Sequence, residues 1–172
     1  MHQNSLDIMQ GFVKKYLPNT KLKILDLGSM IVPNRQQKRI GSYRQFFTNP
    51  KWHYVGADIK AGENVDVILT DSYTFPLNEG EFDIVISGQT IQHIAYPWVW
   101  FKEMVRVLKK NGLCCIIAPA IFGEHRSPID TYRYYPDGMR ALARWSGLEV
   151  LEAGTSKEDY RLQDTHMIAR KP

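Results

Sequence analysis

Five short apolar runs, KILDL (23–27), HYVGAD (53–58), VDVIL (65–69), FDIVIS (82–87) and LCCIIAP (113–119), constrain this chain more than any other feature. Each has the length of a strand, and most are apolar on both faces, as inner strands of a covered sheet are. Parallel pairing follows, because helical crossovers are what cover such a sheet. Leu6, Met9, Phe12, Val13 and Tyr16 share one face at helical spacing and predict a helix over about 6–17, within an N-terminal segment 1–20. Pro97 opens a second helix, with Trp100, Phe101, Met104, Val105 and Leu108 inward, which runs to Lys110 before an Asn111-Gly112 stop. Pro136 and Gly147 bracket a third, with Met139, Leu142 and Ala143 inward. LEVLEA (148–153) and THMIAR (165–170) add two closing strands. The expected class is α/β. One connection breaks the rhythm, since IKAGEN between HYVGAD and VDVIL is too short for a helical crossover and predicts a link without a helix.

At 172 residues, 44% hydrophobic and 23% charged, the chain reads as one globular domain, 1–172, without repeat or linker. No apolar run reaches the roughly 18 residues of a membrane span, and MHQNSLDIMQ lacks the regions of a signal peptide, so a cytoplasmic protein without membrane association is expected. Cys114 and Cys115 are adjacent on a strand, where their side chains point to opposite faces, which argues against a disulfide or a metal pair. The histidines are scattered and no metal is indicated. Part of the net charge of +4 lies in NRQQKRIGSYR, which suits either an acidic substrate or, more simply, a solvated loop.

Open α/β sheets bind ligands beyond the carboxyl ends of their strands. Those ends carry Asp26-Leu27-Gly28, Asp58, Asp71-Ser72 and Ser87-Gly88-Gln89. Gly28 permits a sharp turn and close approach to a ligand. Asp58 is placed to accept both hydroxyls of a ribose, Asp71 to accept from an adenine amino group, and Ser87 and Gly88 to leave carbonyls free for an ammonium or a positive sulfur. Each residue alone also reads as a loop cap or a solvated group. Their recurrence on successive strands is what points to one site.

With these residues in view, the chain resembles the class I S-adenosylmethionine-dependent methyltransferases. KILDLGS resembles their first motif and YVGADIK the acidic end of their second strand, while the run from Asp71 to Pro119 resembles their third-to-fifth strand region. The resemblance implies a Rossmann-like three-layer sandwich, mostly parallel, with an antiparallel last strand between its neighbours. It also implies S-adenosyl-L-methionine as cofactor, held by Asp26, Gly28, Ser29, Asp58, Ile59, Asp71, Ser72, Ser87, Gly88 and Gln89. The family's first motif is richer in glycine than LDLGSMIVP. S-adenosylmethionine carries no phosphate and needs no glycine-lined pyrophosphate approach, so its one carboxylate falls to Ser29, Ser42 or Arg44, Arg44 being capable of a bidentate contact.

The connection after LCCIIAP, residues 120–136, lies above the same crevice and is expected to act as a substrate-side lid. Arg126, Tyr132, Arg133 and Tyr135 are its candidate substrate contacts. A hydroxyl nucleophile benefits from a base, and His125, His93 and Asp130 are the candidates. Three functions fit: methyl transfer to a small molecule or glycan, most simply at oxygen; a catalytically inactive binding protein on a methyltransferase fold; and a nicotinamide-dependent oxidoreductase, which Asp58 suits but which lacks G-x-G-x-x-G. The absence of any appended basic module argues against nucleic acid as substrate.

Overall fold

The structure, a computed structural model, describes residues 3–32, 41–156 and 162–172. The basic stretch NRQQKR noted above lies outside the described residues. Helix α1 (Gln3–Tyr16) begins three residues before the predicted start and buries Leu6, Met9 and Phe12, with Lys14 and Lys15 at its C-terminal, negative end. Strands β1 (Leu22–Leu27), β2 (Trp52–Asp58), β3 (Val67–Ile68), β4 (Phe82–Gly88), β5 (Leu108–Ile121), β6 (Glu149–Thr155) and β7 (Gln163–Arg170) form one sheet in the order β3-β2-β1-β4-β5-β7-β6. Pairing is parallel from β3 to β5, and β7 runs antiparallel between β5 and β6. The expected topology therefore holds, last strand included.

Helices α2 (Pro97–Val107) and α3 (Pro136–Trp145) cover one face of this sheet, and α1 with a single 3-10 turn at Tyr43–Phe46 covers the other. Side chains alternate between the two cores. Leu25, Leu27, Val85, Cys114, Ile116, Met167 and Ala169 face Trp100, Phe101, Met104 and Met139, whereas Ile24, Ile84, Ile86, Cys115, Ile117 and Ile168 face Leu6, Met9 and Phe12. Each such buried side chain stabilises the fold by roughly 2 kcal/mol. Cys114 and Cys115 thus sit in different layers as free thiols.

Two predicted boundaries move. Helix α2 stops at Val107, and Leu108, Lys109 and Lys110 belong to β5, which begins by pairing Leu108 with Phe82. Lys109 is drawn to the strand side by an ion pair with Asp83 at 2.8 Å, and Asn111 turns the chain at φ 63°. The link after β2 contains no helix, as its length required, and β3 shrinks to two paired residues. Among the described residues, no helix is long and apolar enough to cross a membrane.

Candidate active site

The strand order reverses between β1 and β4, so their carboxyl ends diverge there and open the crevice in which such sheets bind ligands. Gly28 turns the chain out of β1 at φ 78°, and any Cβ there would press into the Thr90 side chain, its Cγ2 only 2.6 Å away. Opposite, Ser87 is buried and its hydroxyl donates to the Leu27 carbonyl at 2.7 Å, tying β4 to β1. Gly88 lies against Tyr43, whose ring atoms would stand 2.5 Å from a Cβ, and the Tyr43 hydroxyl pairs with that of Ser5 on α1. Gln89 follows at φ 60° and donates through Nε2 to Asp164 at 2.7 Å.

Asp26 is buried and accepts a hydrogen bond from the Tyr54 hydroxyl. Burial pushes its carboxyl up to about 7 against the opposing pull of the Tyr54 bond and the Arg44 charge, with Asp58 adding to the rise. Half-buried Asp58 closes β2 and accepts from Met30 N at 3.1 Å and Lys60 N at 3.3 Å. Ser29 is buried, and Ile59 is exposed just past β2. These residues converge on one end of the sheet, together with Asp26, Gly28, Asp58, Ser87, Gly88 and Gln89. Asp71 and Ser72 follow β3 in a tight turn in which Asp71 Oδ1 accepts from Tyr73 N and Thr74 N at 2.5 and 2.7 Å.

Arg44 is spent elsewhere than the sequence suggested. Its guanidinium pairs with Asp66, its Nε donates to Asn64 Oδ1, and it stacks over the Tyr54 ring at 4.4 Å. A residue so held supports the back of the turn rather than reaching for a ligand carboxylate.

Residues 122–135 run between β5 and α3 without regular structure, over the end of β4. Thr131 binds the Gln92 carbonyl through both its amide and its hydroxyl, at 2.7 Å each, and Tyr132 and Tyr134 donate to the carbonyls of Ala95 and Ile91. All five N–H groups of Arg133 are used inside this segment: two on Asp130, and one each on the carbonyls of Phe122, Gly123 and Tyr132. Arg133 therefore has no donor left for a substrate. Those bonds also hold the Asp130 carboxyl well below the usual range, which disqualifies it as a base near neutrality. Arg126 pairs with Glu124 on the surface, and Tyr135 stands exposed.

His93 and His125 meet edge to face at 6.0 Å between ring centres. His93 Nδ1 lies 2.6 Å from the Ile129 carbonyl, which only accepts, so Nδ1 carries the proton; Nε2 lies 3.2 Å from Gln92 Nε2. Both ring nitrogens are thus engaged. The exposed His125 ring contacts the rings of His93 and Phe122. Among the described residues no group of three His, Cys, Asp or Glu could hold a metal ion.

Sequence reasoning missed Tyr54, Asn64, Asp66 and Tyr43, the partners that fix the site residues. Gly56 was the available signal: a glycine inside a strand marks close approach by another backbone, and here the Asn64 carbonyl occupies the place of its Cβ.

Comparison with known proteins agrees with this fold. Residues 42–116 match the model of a methyltransferase domain, a segment that begins beyond LDLGSM. An uncharacterised methyltransferase of Mycolicibacterium gilvum is 27% identical over 122 residues, 62% of this chain and 46% of its own length, so the chain spans about half of that relative. A SAM-dependent methyltransferase from Aquifex aeolicus superposes with a TM-score of 0.73 at 15% identity, covering 99% of this chain and 94% of that one. The 1,6-didemethyltoxoflavin-N1-methyltransferase of Burkholderia thailandensis, solved with bound 1,6-didemethyltoxoflavin and S-adenosylhomocysteine, gives a TM-score of 0.70 at 14% identity over 97% of this chain and 78% of its own. By fold and by these likenesses, the chain is similar to the class I S-adenosylmethionine-dependent methyltransferases.

Proposed function

We propose that the chain binds S-adenosylmethionine across the carboxyl ends of β1, β2 and β4 and methylates an oxygen of a small molecule or glycan. The supporting observation is where the turn's amides go. The N–H groups of Gly28 and Ser29 donate to the Ala57 carbonyl at 2.8 and 3.1 Å, that of Met30 to Asp58, and that of Ile31 to the Glu63 carbonyl at 3.1 Å. A dinucleotide site keeps such amides for its pyrophosphate. Here they are consumed, which disfavours a nicotinamide cofactor and leaves a nucleoside without phosphate.

The residues present fit that nucleoside. Asp58 retains lone pairs for a ribose diol beside its two backbone contacts. Asp58, joined by Asp26 where that carboxyl ionises above about 7, gives the crevice the acidic groups that favour a ligand bearing a positive sulfur and an ammonium. Bare Cα atoms at Gly28 and Gly88 remove side chains from the two strand ends. The S-adenosylhomocysteine bound by the Burkholderia relative supports the same cofactor. When bound, it supplies an activated methyl group, whose bond to sulfur breaks as the bond to the acceptor oxygen forms.

The chain's own task is alignment and proton removal. His125 takes the proton of the acceptor hydroxyl, because its imidazole nitrogens are less committed than those of His93. The Asp130–Arg133 pair keeps the segment that carries His125 in shape, since Asp130 also accepts from His125 N at 2.6 Å. Aromatic Tyr132 and Tyr135 offer faces for the acceptor.

Titration calorimetry with S-adenosylhomocysteine tests the cofactor. Binding is expected in the wild-type chain and its loss in Asp58→Ala, and a wild-type chain that binds nothing refutes the proposal. Transfer of labelled methyl to a panel of hydroxyl-bearing small molecules and glycans tests the acceptor; binding without transfer to any of them favours a non-catalytic binding protein.

A further inference from the structure

We propose that Asn64, in the loop after β2, is the positioning residue of the cofactor turn and replaces the glycines that LDLGSMIVP lacks. The inference rests on the function proposed above. Ser29, the residue after the turn's glycine, directs its hydroxyl and its carbonyl to Asn64. Its hydroxyl donates to the Asn64 carbonyl at 2.9 Å, and its carbonyl accepts from Asn64 Nδ2 at 2.8 Å. Two reciprocal bonds between the same two residues fix both position and orientation, which one bond does not.

Asn64 is itself held from behind. Its Oδ1 accepts from Arg44 Nε, and Arg44 pairs with Asp66, which accepts from Gly56 N at 2.8 Å. The Asp66 amide returns a bond to the Gly56 carbonyl at 2.7 Å. The chain of contacts runs from β2 through Asp66, Arg44 and Asn64 to Ser29. Every polar atom of the Asn64 side chain belongs to it.

The backbone is adapted to the same end. Asn64 sits at φ 72°, in the left-handed region that asparagine and glycine enter most readily. Gly56 has no Cβ to obstruct it, so the loop lies directly on β2 and reaches the turn; a Cβ there would also stand 2.7 Å from Ser29 Oγ. Three of the turn's four amides are spent on Ala57 and Asp58 at the end of β2 and the fourth on Glu63, so the turn takes its shape from β2 and this loop together. A glycine-rich turn owes its shape to permissive backbone. This one is imposed by a neighbour.

Two substitutions separate the side chain from the backbone. Asn64→Gly keeps the left-handed conformation and removes the amide, whereas Asn64→Ala removes the amide and adds backbone strain. Hydrogen exchange of the ligand-free chain is read at residues 28–31 and, as reference, at β4 and β5. Both variants are expected to exchange faster at 28–31 with β4 and β5 unchanged, and to bind S-adenosylhomocysteine about tenfold more weakly, as loss of one or two hydrogen bonds requires. Asn64→Gly with wild-type exchange at 28–31 overturns the inference, because the side chain then positions nothing. Faster exchange at 28–31 with undiminished affinity overturns it too. A wild-type chain that fails to bind S-adenosylhomocysteine refutes the proposed function instead, and exchange alone then decides whether Asn64 sets the turn.

Discussion

Asp26→Asn turns the buried carboxyl of β1 into a measurable quantity. In the folded chain this group sits at about 7 rather than the ordinary 3.8, because burial disfavours its charge more than Tyr54 and Arg44 favour it. Below the ordinary value both states hold the proton. Between 3.8 and about 7 the unfolded chain has released it and the folded chain has not, so stability falls as pH rises through that window and levels off above it. Each pH unit is worth about 1.4 kcal/mol, and the decline from pH 5 to neutrality amounts to about 3 kcal/mol. Asparagine keeps an acceptor for the Tyr54 hydroxyl and cannot ionise. Urea unfolding followed by the fluorescence of the four tryptophans, at about pH 5 and pH 8, reads the difference. The variant's stability relative to wild type should rise by about 3 kcal/mol between the two pH values. Parallel behaviour of the two chains across that range would refute the reasoning, since no proton would then be held by Asp26. The same linkage reaches binding: a cationic ligand at this end of the sheet pulls the carboxyl back down, so its affinity should climb with pH up to neutrality and lose that climb in Asp26→Asn.

Gly88→Ala should lower stability by about 2 kcal/mol or more, because its Cβ meets the Tyr43 hydroxyl first and then the ring, and adding Tyr43→Phe, which removes the hydroxyl, should recover part of the loss in a urea titration. Both cysteines are fully buried, and burial pushes the Cys114 thiol up to about 12, so a thiol reagent should titrate neither in the native chain and both in denaturant. Asp130→Ala should leave the fold intact by circular dichroism and make residues 122–133 the first site of limited proteolysis, because two of the five Arg133 donors lose their carboxylate partner.

The sheet was legible because apolar alternation is a local property: Ile24 and Leu25, or Cys114 and Cys115, declare opposite faces within the run that contains them. Lys109 and Lys110 read as the end of a helix, and only a partner across the sheet, Asp83, places Lys109 on the strand side. The same limit applies to the site. The places of Asp26, Gly28 and Asp58 at strand ends could be read from the sequence, but Arg44 stood among three candidates for the ligand carboxylate because its partner Asp66 lies 22 residues away on another loop. Arg133 and Asp130 looked like free chemistry for the opposite reason. Their spacing of three permits mutual capture, and capture is what the packing selects. Spacing shows what is possible for a polar side chain; geometry shows which possibility is taken.

The position of β7 has a consequence for how the chain matures. This last strand is also an inner one, hydrogen-bonded to β5 on one side and β6 on the other. Until residues 163–170 leave the ribosome, β5 presents an open apolar edge and β6 has no neighbour, which are conditions that invite pairing with other chains. Completion of the sheet therefore waits for β7. Gln89, at the end of β4 in the candidate site, takes its partner Asp164 from that same strand, so the candidate site is finished only when the sheet is.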